Sequence, residues 1–353
     1  MRIGFLTSTP LDVVHGSGTF VGVSTLAAAL RRMDADVEIV APSLRFPIYT
    51  ARRWWFNHQL RRRRWDGFDL LVGFDLDGYR IAGRTGLPQV ASIKGVIADE
   101  LRFERGLTRT TMSMQAAWEV KHVRRADLVL TTSSYAAHRI QELYGSPTLP
   151  RVVPEAIDLV AWRGLLARHA AAPQPDKFIV LTVCRFYPRK RLDLLLAAAE
   201  RLRQEIPALE FRIVGDGPQR GRLHALSREL RLQDTVRWLG NLSAEDLARE
   251  YNRCDVFCLP SVQEGFGIVF LEAMAAGKPI VAANAAAVPE VVPQGFLVEP
   301  ESVAALAEGL RRIHGDAALR ARLAEAGKAV VERYDAPSVA ALFLSEVRGL
   351  MHD

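Results

Sequence analysis

Two glutamates eight positions apart, Glu264 and Glu272, stand in the segment LPSVQEGFGIVFLEAMAAGKPIVAA at 259–283. An apolar run from Val256 to Leu259 precedes it and stops at Pro260, the pattern of a buried parallel strand. A helical pattern starts near Ile268. The spacing therefore puts Glu264 in a loop and Glu272 inside the helix, just over a turn from its start. Between them Gly265, Phe266 and Gly267 lead into the helix. Free N–H groups of Phe266, Gly267 and Ile268, together with the positive end of the helix dipole, would suit an anion. A carboxylate on either side of that anion accepts hydrogen bonds from hydroxyls. Hydroxyls, phosphates and more hydroxyls, in that order, describe a nucleotide sugar.

A second group of residues offers the opposite charge. The strand expected at 179–183 runs through Arg185 and Lys190 to an amphipathic helix from about Leu192. Two cations five apart across a strand-to-helix turn can neutralise a diphosphate, Arg185 as a planar fork and Lys190 as a point charge. Near the start of the chain, residues 2–7 read as a first strand and residues 18–33 as a first helix. Gly18 opens that helix, where a turn facing the ligand crevice of a doubly wound fold can admit a phosphate. Lys94 ends the strand expected at 87–95, placed to hold a phosphate or a carboxylate, or simply to meet solvent. Asp75 and Asp77 follow another strand in a loop.

The run EGFGIVFLEAMAAGKPIV resembles the donor-site signature of the retaining glycosyltransferases of family 4, also described as glycosyl transferases group 1. The resemblance is strong over the second half of the chain and looser over the first. It implies the GT-B fold, two doubly wound Rossmann-like α/β domains facing an interdomain cleft. It further implies transfer of a sugar from a nucleotide-diphosphate donor, with retention, to a hydroxyl of a glycan, a lipid-linked or a small-molecule acceptor. The donor would be held by Gly18, Arg185, Lys190, Glu264, Gly265, Phe266, Gly267, Ile268 and Glu272. Catalytic roles would fall to Glu264, Arg185, Lys190 and Lys94, and no residue serves as a covalent nucleophile. Glu272 would take the ribose hydroxyls and Glu264 the sugar hydroxyls. The donor, of UDP or GDP type, is a co-substrate, so no cofactor and no metal site is expected. The family usually has paired glycines where Ser17 and Gly18 stand, a histidine where Lys94 stands, and glycines around 285–287. Asp75 and Asp77 could chelate a metal, as in glycosyltransferases of the other major fold, but they stand alone and read as loop acids.

At 353 residues the chain suits two domains, and strands alternating with helices in both halves point to parallel sheets. The expected partition is 1–163 for the first domain, 164–177 for an Ala- and Pro-rich linker, 178–336 for the donor domain, and 337–353 for a helix returning to the first. Hydrophobic residues make up 49% and charged residues 24%, as in soluble globular proteins. No signal peptide opens the chain and no run is long enough to cross a membrane. Cys184, Cys254 and Cys258 form no metal-spaced cluster and read as buried thiols, which favours a reducing, cytoplasmic setting.

The net charge of +6 is uneven: 21 Lys and Arg against 16 Asp and Glu in residues 1–160, and 25 against 24 thereafter. Six arginines and three tryptophans crowd residues 52–65. A solvated amphipathic helix with its tryptophans on the core is the plainer reading. Contact with an anionic membrane surface, on the inner face of the plasma membrane, is the sharper one. Nucleic acid would also suit interleaved basic and aromatic residues, but no nucleic-acid partner is expected. Two rivals to a transferase remain: a phosphorylase or epimerase on the same fold, and a non-catalytic module binding nucleotide sugars or polyanions.

Overall fold

A computed structural model of the chain describes residues 1–10, 13–42, 48–170, 176–206 and 208–350, with only the backbone for 13–17. It divides into two compact units, Met1–Ala156 with Ala336–Asp353, and Ile157–Asp335.

The first unit alternates β1 (Arg2–Leu6), α1 (Val13–Arg31), β2 (Asp36–Val40), α2 (Tyr49–Leu60), β3 (Leu70–Phe74) and β4 (Gln89–Ile93). It continues through α3 (Ile97–Glu100), α4 (Gly106–Val123), β5 (Leu128–Thr131), α5 (Ser134–Tyr144) and β6 (Arg151–Val152). All strands pair in parallel, in the order β2-β1-β3-β4-β5-β6. Strands β3 and β4 are buried at every position, and β3 accordingly reads as a continuous apolar run rather than an alternating one. Ser133 caps α5 by accepting from the N–H of Ala136, and Gly145 ends it at φ 61°, as the sequence indicates.

The second unit holds α6 (Leu159–Arg168), β7 (Phe178–Val183), α7 (Leu192–Leu202), β8 (Leu209–Val214), α8 (Arg220–Glu229), β9 (Val236–Gly240) and α9 (Ala244–Arg253). After them come β10 (Val256–Leu259), α10 (Ile268–Ala275), β11 (Ile280–Ala283), α11 (Val288–Val291), β12 (Phe296–Val298), α12 (Val303–Gly315) and α13 (Ala317–Val331). Its parallel sheet runs β12-β11-β10-β7-β8-β9, placing β7 and β10 side by side at the centre. One apolar cluster covers each face: Leu195, Leu196 and Leu202 on one, Phe257, Phe270 and Tyr251 on the other. Each fully buried Leu or Phe among them contributes roughly 2 kcal/mol.

The last helix, α14 (Ala336–Arg348), packs on α1 within the first unit, with Phe343 edge-on to Phe5 at 6.2 Å.

Three expectations need correction. Residues 164–168 are not linker but the end of α6, whose Leu159 and Leu166 are buried in the second unit and whose first turn is capped by Asp158. The boundary therefore lies at Ala156 rather than at 163; residues 171–175 fall outside the described residues. The first helix begins at Val13, so Gly18 lies inside it, where N–H groups are committed to the helix's own hydrogen bonds. Finally, α2 ends at Leu60, and Arg61–Arg64 stand exposed beyond it.

Candidate active site

The carboxyl ends of β7 and β10 carry the residues that the sequence singles out in the second unit. After β7 the chain makes a 3-10 turn at Pro188–Lys190, with Arg185 half-buried ahead of it and Lys190 at its end. After β10 it enters the 260–267 loop. Backbone ties lock the two turns together: the carbonyl of Arg189 accepts from the N–H of Val262 at 2.9 Å and from the Ser261 hydroxyl at 3.2 Å. Ser261 is fully buried, so this tie is shielded from water.

The ends of the two turns meet in an ion pair. Lys190 Nζ lies 2.5 Å from Glu264 Oε1, with side chains 12% and 8% exposed. The lysine expected at the phosphates and the glutamate expected at the sugar thus hold each other. The Cys184 thiol lies nearby and is pushed up to about 12 by burial, so it stays protonated.

Beyond Glu264 the loop reaches Gly267 at φ 94°, a conformation that requires glycine, since a Cβ there would also sit 2.7 Å from the Phe270 ring. Phe266 is buried edge-on against Tyr334 at 5.4 Å, fixing the approach to α10. Ile268 begins α10, whose first N–H groups have no acceptor within the helix. Behind the loop, the N–H of Ala287 reaches the carbonyl of Glu264 at 3.4 Å, and Ala286 beside it adopts φ 52°. A left-handed alanine there explains why glycines would be at home at 285–287.

Glu272 sits in the second turn of α10 and accepts the Tyr251 hydroxyl at 2.9 Å. Its main-chain oxygen accepts the indole N–H of Trp162 at 3.1 Å. Burial pushes its carboxyl up to about 7, against the smaller opposing effect of the Tyr251 hydrogen bond. Neither Tyr251 nor Trp162 carries a local sequence signal for this contact. Tyr251 looks like one more core aromatic of α9, and Trp162 falls on the wrong side of the expected boundary.

Gly215 and Gly217 have a packing role. A Cβ would lie 2.0 Å from the carbonyl oxygen of Cys184 at the first and 2.6 Å from the N of Phe186 at the second.

In the first unit, Lys94 is neither in solvent nor free. Its Nζ meets Glu155 Oε2 at 3.1 Å, with the two side chains 7% and 6% exposed. The glycine that α1 needs is Gly22, where a Cβ would stand 2.2 Å from Glu155 Oε2, whereas a Cβ at Gly18 meets nothing within 4 Å. Asp77 lies in the turn after β3, as expected, but is a wholly buried joint, accepting from the N–H of Ser8 at 2.6 Å, its hydroxyl at 2.7 Å and Asn57 Nδ2 at 2.8 Å. Asp75, at φ 54°, accepts the N–H of Lys94 at 2.9 Å, and burial pushes its carboxyl up to about 6. Its carbonyl takes the Nδ1 proton of His122 at 2.5 Å, and burial holds that imidazole down at about 4, hence neutral. Among the described residues no three His, Cys, Asp or Glu side chains converge as metal ligands.

Helix α2 turns Arg53, Phe56, Asn57 and Leu60 inward and leaves Trp54 40% exposed. Trp65 packs on Phe68 at 5.7 Å. Between the end of β2 and α2 lies an open groove of about 490 Å³, lined by Val40, Trp55, Phe56 and Leu60 and edged by Arg62 and Arg63. No helix among the described residues is long and apolar enough to cross a membrane.

These arrangements match known sequences in both halves. Residues 16–161 match Glycosyltransferase Family 4, and residues 167–330 match Glycosyl transferases group 1. The chain belongs to the family-4 glycosyltransferases. A D-inositol 3-phosphate glycosyltransferase of Kribbella flavida is 34% identical over 230 residues, covering 61% of this chain and 54% of that protein. The chain spans about half the length of the curated relatives it matches. Among solved structures, sucrose-phosphate synthase of Thermosynechococcus elongatus superposes with a TM-score of 0.82 at 22% identity, over 99% of this chain and 98% of that one. HepE of Anabaena, solved with UDP and glucose, superposes with a TM-score of 0.74 at 20% identity, over 99% and 100%. The fold of this family-4 chain is therefore GT-B, two parallel six-stranded sheets flanked by helices.

Proposed function

We propose that the chain transfers a sugar, with retention, from a nucleotide-diphosphate sugar to an acceptor hydroxyl. The observation that carries this reading is the meeting of Lys190 and Glu264 at the mouth of a glycine loop that opens α10, with Glu272 one turn further on. Arg185 and Lys190 stabilise charge developing on the leaving diphosphate, the electrostatic contribution that usually dominates such chemistry. N–H groups of Phe266, Gly267 and Ile268 complete the cradle. Glu264 takes hydroxyls of the transferred sugar, and Glu272 those of the ribose. The donor is of UDP or GDP type, and the UDP and glucose bound by HepE support the UDP form. The acceptor is a glycan, a lipid-linked sugar or a small molecule, and the inositol phosphate relative supports a polyhydroxylated one. No cofactor or metal takes part.

Titration of the purified protein with UDP and GDP, followed by turnover of the matching labelled donor, tests the reading. NMR of the product anomer checks retention. Nucleotide binding without donor consumption would leave a binding module, and failure to bind either nucleotide would overturn the proposal.

A surface observation favours a peripheral site of action at the inner face of the plasma membrane. Trp54 and Arg61–Arg64 are exposed, and Arg62 and Arg63 edge the groove between β2 and α2. Two of these arginines are already engaged, Arg63 with Glu38 and Arg64 with Asp66, which leaves less charge for headgroups than the sequence suggests. Each basic residue near an anionic leaflet contributes about 1 kcal/mol. Replacing Arg61–Arg64 by glutamine should weaken co-sedimentation with anionic vesicles, as should salt that screens beyond about 10 Å. Equal binding to neutral and anionic vesicles would overturn this reading.

A further inference from the structure

Tyr251 lies in α9 and is wholly buried, its ring stacked on Phe257 at 5.9 Å and met edge-on by Trp162 at 5.7 Å. Core aromatics of this kind are ordinarily phenylalanines, because a buried phenol needs a partner. Its hydroxyl donates to Glu272 Oε2 at 2.9 Å, and the carbonyl of Val269 stands next at 3.2 Å. Trp162, from α6, fixes the main-chain oxygen of the same glutamate. One glutamate is thus gripped at its carboxyl by one helix and at its backbone by another, while its second carboxyl oxygen takes no bond from Tyr251.

We propose that Tyr251 is a positioning residue that holds the Glu272 carboxylate by one oxygen and presents the other to a nucleoside diphosphate's ribose. This rests on the donor reading above. The hydrogen bond also favours the ionised form of a carboxyl that burial has pushed up to about 7. Nearby ionisable groups are otherwise engaged: Arg163 of α6 with Glu332, Lys328 of α13 with Glu325, and Glu250 of α9 with Arg212 and Arg253. The Cys254 thiol, which faces Tyr251, is pushed up to about 12 by burial and stays neutral. Binding through an ionised Glu272 weakens as the pH falls through its titration. Removing the phenol hydroxyl raises that titration further.

The test is calorimetric binding of UDP, GDP and ADP by the full chain between pH 5.5 and 9. Wild type should show affinity falling on the acid side, and Glu272→Gln should remove the part of that dependence lying above the ligand's own terminal-phosphate titration at about 6. Tyr251→Phe should lose roughly tenfold in affinity at neutral pH, the scale of one hydrogen bond to a charged group. Its acid midpoint should rise by about one pH unit. Trp162→Phe, which keeps the phenol, should lower the melting temperature without moving the midpoint. Site-specific 3-fluorotyrosine at 251, a stronger donor of nearly the same size, should move the midpoint down, and it serves if Tyr251→Phe does not fold. A Tyr251→Phe protein with wild-type affinity and an unmoved midpoint overturns the assignment while leaving the donor reading intact. Wild-type protein that binds none of the three nucleotides overturns the donor reading, and this assignment with it.

Discussion

The sharpest consequence of the structure concerns Lys190→Ala. The charged atoms stand 2.5 Å apart, with side chains 12% and 8% exposed. At the effective dielectric of 20 that suits protein sites, their attraction is about 7 kcal/mol gross. Desolvation of both ions offsets most of that, so the pair adds little net stability while intact. Removing one partner is a different matter, because a buried carboxylate is left without compensation at a cost of about 3–5 kcal/mol. For a unit of this size that lowers the melting temperature by roughly 10 °C, although circular dichroism at 25 °C stays native. Turnover should fall by roughly ten- to a thousandfold, as expected when charge stabilisation at a leaving group is lost. A double-mutant cycle with Glu264→Ala separates the pair from its surroundings. Each single variant should melt early, and the double variant should recover about 2 kcal/mol of the summed loss. A coupling below about 0.5 kcal/mol, the value of an exposed surface pair, together with wild-type turnover, would refute the reasoning.

Further consequences are simpler to check. Donor charge met by side chains and a helix N-terminus leaves no need for a divalent ion, so transfer should survive excess chelator; loss of activity with rescue by manganese would refute this. Gly22→Ala should cost about 1–3 kcal/mol in a denaturant melt, because its Cβ would stand 2.2 Å from Glu155 Oε2. Gly18→Ala, in open space inside α1, should instead stabilise by up to about 1 kcal/mol, and equal effects at the two positions would count against the helix start at Val13. Ala286→Gly should raise stability by about 0.5 kcal/mol, since it relieves a left-handed alanine at φ 52° and gives back part of the gain as chain entropy. A lowered melting temperature would contradict that.

Much of the second unit was legible because local signals there agree with tertiary need. The run before Pro260 is wholly buried, Gly267 stands where φ turns positive, and Glu272 falls in the second turn of α10 as its spacing requires. What stayed hidden depends on contacts between segments far apart in the chain. Lys190 and Glu264 stand 74 positions apart, and no spacing rule joins them. Gly18 drew attention because a glycine before an apolar pattern resembles a helix start, while nothing local marks Gly22, which a distant glutamate makes necessary. The alanines and prolines after 168 suggested a linker and pulled the boundary forward, although Leu159 and Leu166 give α6 a buried face. Residues 52–65 were harder still. Their composition fits a membrane-facing helix, yet Arg53 is 4% exposed and faces Asp75 and Asp77 at 3.8 and 3.6 Å, a use of arginine that composition does not reveal.

Each unit places a lysine after a central strand and buries it against a glutamate: Lys94 with Glu155 in the first, Lys190 with Glu264 in the second. Stability alone does not account for either pair. Apolar side chains of similar volume at such sites are often as stabilising or more so, because the ions give up several kcal/mol each of hydration. Nor do the pairs complete a helix cap or a strand ladder that would otherwise fail. The surroundings of both have been shaped to keep the charges: Gly22 gives up its side chain so that Glu155 can approach α1, and the Arg189 carbonyl ties the loop of Glu264 to the turn of Lys190. A held carboxylate beside a held ammonium presents acceptors and donors already oriented. A hydroxylated, phosphorylated ligand can use them without first ordering two long side chains, whose immobilisation would otherwise cost about 0.5–1.5 kcal/mol apiece on binding. Under the proposed donor reading the ion pairs are preorganisation for a ligand, and the stability they forgo is recovered from the apolar faces of the two sheets.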